Sequence, residues 1–335
     1  MSMMRLRGVA HCKLDQSTIY IPPVEQSYTI GIEGSNTVAR TPAGVLVNSG
    51  TDFGVVFNAL NSSIQNSNNI LLLDGTYLVN TRPYLTKSNI IFTGSSNSII
   101  KGGVDYTQEL FFEQGTYNTV QNIVFDDNNI GGYSAAYYIE GDHNLLSHCT
   151  LNNGYRYGFT FQSATNFTIS DCIVNQAQYG ISGSSLAQSI TGLVTGNFLY
   201  NCRDCGIKIK AATSINFTNN YVDVGYVTWT TNSSGSGAEG CHGIRFYTGD
   251  DAVYNCVASG NTVTDSKQNR VTTGFTEDSD LRLDNPTAPA SYGMEINNNT
   301  ISYVYYGLLI KKAAEITYTG NSFTGVRNTN IAVWG

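Results

Sequence analysis

The chain has 335 residues, enough for one large core, with a formal net charge of −7 and only 13% charged residues. That balance argues against a phosphate-backbone partner, so no nucleic acid is expected. Short runs of Val, Ile, Leu, Phe and Tyr recur throughout, unlike a disordered chain, and no apolar run approaches a membrane span.

Residues 1–47 read as irregular, with Pro22-Pro23 and no period. The opening MSMMRLRGVAHCKLDQ lacks an apolar core after its arginines, so no signal peptide is expected. Phe53, Val56, Phe57, Leu60 and Ile64 then follow helical spacing, with Thr51 or Ser49 placed to cap. The run from Ile70 to Val79 reads as a strand, an Asp74-Gly75 turn and a second strand. A short amphipathic helix at this place would cover the apolar end of a solenoid. The chain therefore divides into residues 1–87, holding the irregular segment, capping helix and first strands, and residues 88–335, holding the coils.

From Ser88 onward one pattern repeats about every two dozen residues, the self-similarity of a solenoid. Aligned on one position it gives Asn122, Cys149, Cys172, Asn197, Asn220, Asn261, Asn299 and Asn321. Stacked amides can hydrogen-bond along such a column, and buried cysteine can replace them. A second column reads Gly158, Gly180, Gly206, Gly243, Gly293 and Gly307, preceded by tyrosine at four places and by Cys205 and His242 at the other two. Two long intervals mark insertions, loops 223–241 and 265–291, projecting from adjacent coils, and long loops on a rigid scaffold commonly carry binding sites.

The cysteines, seven in all, form no evident disulfide framework. Cys149 and Cys172 read as stacked free thiols. Cys202, Cys205, Cys241 and His242 hold a zinc-like ligand set, against which a Cys205–Cys241 disulfide or free thiols is the stronger reading. Sequons at Asn61, Asn166, Asn216, Asn232 and Asn298 suit an extracellular, secreted or virion-surface protein.

The capping helix, the DGTYLV strand and the ladder seen in SDCIV, TGNFL, SGNTV and TGNSF resemble the pectin-lyase-like superfamily over roughly Thr51 to Trp334. The resemblance implies an all-β chain: a right-handed parallel β-helix with an N-terminal amphipathic capping helix. It also implies a function among polysaccharide lyases, polygalacturonases, epimerases, tailspikes and surface adhesins. GIKIK, CHGIRF and GDDAV are similar to polygalacturonase elements but stand in another order, and the epimerase D-P-H-E motif is absent. The nearest pattern is that of β-helix alginate and chondroitin lyases. Counted from glycine, Lys210 matches their lysine and Tyr247 their arginine, whereas Arg203 and Cys205 occupy the places of their calcium-binding carboxylates.

Alternate residues after each glycine should face outward. One outward column reads Thr160, Ser182, Lys208, Arg245, Glu295 and Leu309; the next reads Gln162, Ser184, Lys210, Tyr247, Asn297 and Lys311. In a chain this poor in charge, the cations point to a groove for an acidic polysaccharide or cell-surface glycan. Arg245 and Lys208 would pair with uronate carboxylates, Lys210 or Tyr247 would remove the proton α to the carboxylate, and Glu295 completes the catalytic set. Tyr226, Trp229, His242, Arg270 and Lys311 are expected to contact substrate, and Asp250 and Asp251 to hold a Ca²⁺. Glu295 with Asp250 or Asp251 would serve a glycoside hydrolase instead. A non-catalytic adhesin or virion-type receptor-binding protein would use the same face, and an uncovered last coil would let copies associate, a trimer among the options.

Overall fold

A computed structural model describes residues 26–128, 135–184, 190–210, 214–224, 241–248, 253–266, 272–279, 291–311 and 313–334. Strands stack coil upon coil in parallel register, as expected for a right-handed parallel β-helix. One face runs from Asn69–Leu72 through Ile91–Gly94, Thr119–Gln121, Leu145–Ser147 and onward to Glu295–Asn297. A second, longer ladder carries the rest of each coil. The ladder is already running at Asn69–Leu72, which pairs with Ile91–Gly94, so the first coil precedes residue 88.

The N-terminal end is closed by two elements. The helix Phe53–Ser63 buries Phe53, Val56, Phe57 and Leu60 against the first coils. Its cap is Asp52, which accepts from the Gly54 amide at 3.0 Å and from the Asn80 amide at 3.0 Å, tying helix to coil. Gly54 is required for this approach, since a Cβ there would lie 1.7 Å from the Thr81 carbonyl oxygen. The second element differs from expectation. Within residues 1–47, Tyr28–Glu33 and Asn36–Arg40 pair antiparallel, Leu46–Gly50 joins them, and the meander adds to Asn69–Leu72. Alternation in this stretch is interrupted by exposed Ile32 and Leu46, which hides its strands from a pattern reading.

Ladder hydrogen bonds lock the coils. Oδ1 of Asn220 accepts from the Asn197 backbone amide at 3.1 Å, and Asn220 Nδ2 reaches Asn261 Oδ1 at 2.9 Å. The pattern continues through Asn299 to Asn321. Each Nδ2 also donates to the carbonyl of the preceding coil, Asn197 to Ile169 and Asn220 to Val194. Cys149 and Cys172 aim their thiols at the equivalent carbonyls of Val120 and Leu146, which is why cysteine can stand in the column. Asn122 does not belong there. Its neighbour Ile123 fills the column, because Val124 pairs with Thr150. Asn122 instead takes a left-handed φ of 59°, shared by His148, Asp171 and Gly196 on following coils.

The glycine column also shifts. Gly158 needs its bare Cα, because a Cβ would meet the Gly180 carbonyl oxygen at 2.1 Å. After Gly243, however, the column passes to Gly274, since His242 pairs with Thr273 in the strand Thr272–Ser279. Part of the expected 265–291 loop is therefore a coil strand. Gly293 lies at a left-handed turn with φ 68°, and Tyr292 pairs with Ala314 in a separate small sheet. Cys205 is buried and not in a disulfide, so the Cys205–Cys241 bridge does not form. Among the described residues no helix is long and apolar enough to cross a membrane.

Candidate functional site

The outward column on the second ladder reads Tyr84, Phe112, Tyr138, Thr160, Ser182, Lys208 and Arg245, each beside the next, and the register continues through Thr276 to Leu309. Side-chain size falls sharply at Thr160 and Ser182 and rises again at Lys208. The step digs a cleft of about 250 Å³ lined by Tyr138, Tyr157, Thr160, Gln162, Ser182 and Lys208, with Glu109 and Lys210 at its margins. Thr160 and Ser182 form the floor. Their hydroxyls bond at 2.9 Å, and their exposures are only 8% and 6% because taller neighbours overhang them.

The two ends of the cleft differ in chemistry. Toward the N-terminus, Tyr138 stacks on Phe112 at 4.9 Å and 10°, and Arg82 lies 5.3 Å from the Phe112 ring. Arg82 is neutralised there by Glu109 at 2.7 Å. Toward the C-terminus stand Lys208 and Lys210, with Arg245 one coil further on. Tyr157 stacks on Tyr179 at 5.3 Å along the flank, and Lys208 Nζ sits 4.3 Å from the Tyr179 ring centre.

Burial pushes the Lys208 pKa below its ordinary 10.5; Cys205 and Asp204 oppose this, and Arg245 and Lys210 assist it. Burial likewise raises the phenols of Tyr138 and Tyr179, which stay protonated as donors. Behind the cleft, Glu113 is wholly buried and accepts from the Tyr137 hydroxyl at 2.8 Å; burial pushes its pKa up to about 8.

The structure brings Lys208, Lys210, Arg245 and the Tyr247 backbone position onto one face, with half-buried His242 following Cys205 beside them. Lys311 holds a place on the same ladder, in register with Asp278. Glu295 is not on this face. It pairs with Val257 in the other sheet, and Thr276 takes the position beside Arg245. The polar strand around Gly274 was masked by its weak alternation, and Tyr292-Gly293 imitated the missing pair. Tyr226, Trp229, Arg270, Asp250 and Asp251 lie outside the described residues. The Ca²⁺ expectation rests on the last two; among the described residues no group of three or more His, Cys, Asp or Glu side chains could hold a metal. Tyr138, Tyr157 and Glu109 were missed, their coils having read as plain scaffold. The available signal was the drop in size from Tyr138 to Thr160 and Ser182.

The family described as right handed beta helix region matches residues 6–222. The chain belongs to the right-handed β-helix family. No curated protein matches it in sequence. Among solved structures, this β-helix is similar to a polygalacturonase from Erwinia carotovora ssp. carotovora, at 11% identity and TM-score 0.60 over 96% of this chain and 100% of that one. It is similar to an alginate lyase from Paenibacillus sp. str. FPU-7, at 14% identity and TM-score 0.56 over 84% of this chain and 96% of that one. It is also similar to the enzymatically active domain of tailspike protein 2 of bacteriophage CBA120, at 12% identity and TM-score 0.58 over 90% of this chain and 46% of that one. At such identities the likeness is one of fold, and the chemistry must be argued from the site.

Proposed function

We propose that the cleft between Tyr138 and Lys208 binds an acidic polysaccharide outside the cell and cleaves it by β-elimination. The observation that carries this reading is Lys208, a partly buried lysine of lowered pKa at the cleft wall, beside a second lysine and near an arginine. Lys210 and Arg245 would neutralise the uronate carboxylate and so stabilise the enolate-like transition state. The Lys208 amine would take the proton α to that carboxylate. The released electron pair forms the ring double bond, and the glycosidic oxygen departs with its own bonding pair. That oxygen takes a proton from water. Lys208 replaces the sequence-based choice of Lys210 or Tyr247 as base. Asp250 and Asp251 remain proposed Ca²⁺ ligands, and no step is routed through that ion.

A hydrolase reading is weaker. Among the described residues lining the cleft Glu109 is the acidic one, and its ion pair with Arg82 occupies it. Two free carboxylates at suitable separation are what hydrolysis needs. Binding without turnover is the second reading. It is favoured by the Lys208–Tyr179 contact, since a ring face stabilises the ammonium form.

The test is incubation with pectate, alginate and glycosaminoglycans, with and without Ca²⁺, followed in the ultraviolet for unsaturated products. Absorbance that grows with time supports elimination. Binding with no turnover leaves the adhesin reading, and new reducing ends without absorbance would overturn elimination in favour of hydrolysis.

A further inference from the structure

The cleft is polarised along the solenoid axis, and this bears on which acidic glycan it takes. From Tyr138 to Lys208 is three strand steps, about 14 Å at roughly 4.8 Å per step, so the cleft spans more than one sugar ring. Arg156 lies 5.0 Å over the Tyr157 ring on the flank, and most of the positive charge gathers at one end. There stand Lys208 and Lys210, with Arg245 beyond, and Asp204 is the nearby carboxylate. The other end offers the Tyr138 ring over Phe112, together with Arg82 already neutralised by Glu109. It carries a further carboxylate. Glu140 follows Ile139, which pairs with Phe161, so Glu140 lies in the column that continues through Gln162 and Ser184 to Lys210. Its Oε2 accepts from the neutral Gln114 amide at 3.0 Å. That column therefore begins with a carboxylate and ends with an ammonium group.

A homopolymer of uronic acid carries one negative charge on every ring. Laid along this cleft it would satisfy the lysine end and set a carboxylate near Glu140 at the other, where Glu109 is already paired with Arg82. Like charges placed against one another cost affinity and act as a filter between ligands. An uncharged ring at that end meets no such repulsion, and its apolar face can lie on Tyr138.

From this we infer that the cleft selects a mixed glycan, in which a uronate held by Lys210 and Arg245 beside Lys208 is joined to an uncharged sugar stacked on Tyr138. This inference rests on the acidic-glycan reading above and narrows its substrate class.

The experiment is calorimetric binding at one fixed ionic strength to three probes of equal length. These are a hyaluronan hexasaccharide, alternating in uronate and N-acetylhexosamine, a hexagalacturonate, and uncharged cellohexaose. The hyaluronan probe is expected to bind roughly tenfold more tightly than hexagalacturonate, a difference of about 1.4 kcal/mol. Glu140→Lys should close that gap by improving hexagalacturonate binding, and Tyr138→Ala should weaken the hyaluronan probe while leaving hexagalacturonate little changed. Hexagalacturonate binding as tightly as hyaluronan to the wild type, or a gap unmoved by Glu140→Lys, would overturn the mixed-glycan inference and leave the acidic-glycan reading standing. Binding of neither acidic probe, or of cellohexaose equally well, would overturn both.

Discussion

In the proposed elimination, Lys208 is the residue on which the chemistry turns. A base must lose its proton before it can accept another, so turnover should rise with pH and level off below the ordinary lysine value of 10.5, because burial lowers this group. Lys208→Arg keeps the charge and removes the base. It should retain oligosaccharide binding and lose roughly 10²–10⁴-fold in kcat. Unchanged kcat in that variant would remove Lys208 from the mechanism.

Glu113 makes a separate residue-scale prediction. Its pKa rises from 4.5 to about 8 in the folded chain, so folded Glu113 stays neutral where the unfolded chain ionises. The unfolded state then binds fewer protons, and stability is greatest below pH 4.5 and falls as pH rises toward 8. Glu113→Gln keeps an oxygen for the Tyr137 hydroxyl and removes the ionisation. Urea denaturation at pH 8 should find the variant more stable by roughly 4 kcal/mol, a gain that vanishes near pH 4. A gain independent of pH would contradict the assignment.

At the scale of elements, the asparagine column holds neighbouring coils in register. Asn220 accepts from two donors of Asn197 and gives its own hydrogens to Val194 and Asn261. Asn220→Ala would leave the buried Asn197 amide without its acceptor, at a cost of about 2–4 kcal/mol. Asn220→Cys should cost less, because cysteine fills the same position at Cys149 and Cys172 with a thiol aimed at the equivalent carbonyl. Denaturation midpoints of the two variants measure the difference.

Much of this column was legible in the sequence because one small polar residue, buried on every coil, leaves a period that survives variation around it. Asn122 was misplaced for a physical reason. The left-handed turn before the ladder also favours asparagine, so two adjacent positions compete for one residue type. Gly274 was missed because its strand follows a long connection and alternates weakly, while Tyr292-Gly293 offered a false continuation. That substitution moved Glu295 onto the cation face, where the register does not put it. The cations themselves were legible, since Lys208 and Arg245 are true neighbours. The cleft was not, because a cavity is a relation of sizes across coils. It needed the pairing of Tyr138 with Thr160 to show.

On the scale of the whole molecule, the solenoid is a ruler with a cleft cut into it. Helix and meander close the N-terminal end, and the aromatic interior from Phe57 through Phe92 and Phe111 to Tyr137 gives the first coils a dense core. The cleft sits where that aromatic section passes into the aliphatic one, with Ile181, Ile207 and Ile244 stacked behind its cationic end. A rigid, repetitive backbone makes the site depend on which side chain each coil presents. Function then follows from a few outward residues, and the family and its solved relatives fix the frame they stand on.

The most direct test of the account is a crystal structure of the Lys208→Gln variant with a bound hyaluronan hexasaccharide. The account predicts sugar over Thr160 and Ser182, an uncharged ring on Tyr138, and a uronate carboxylate within hydrogen-bonding reach of Lys210. Sugar bound instead over the stack of Phe198 on Tyr221, or along the sheet that carries Glu295, would contradict it.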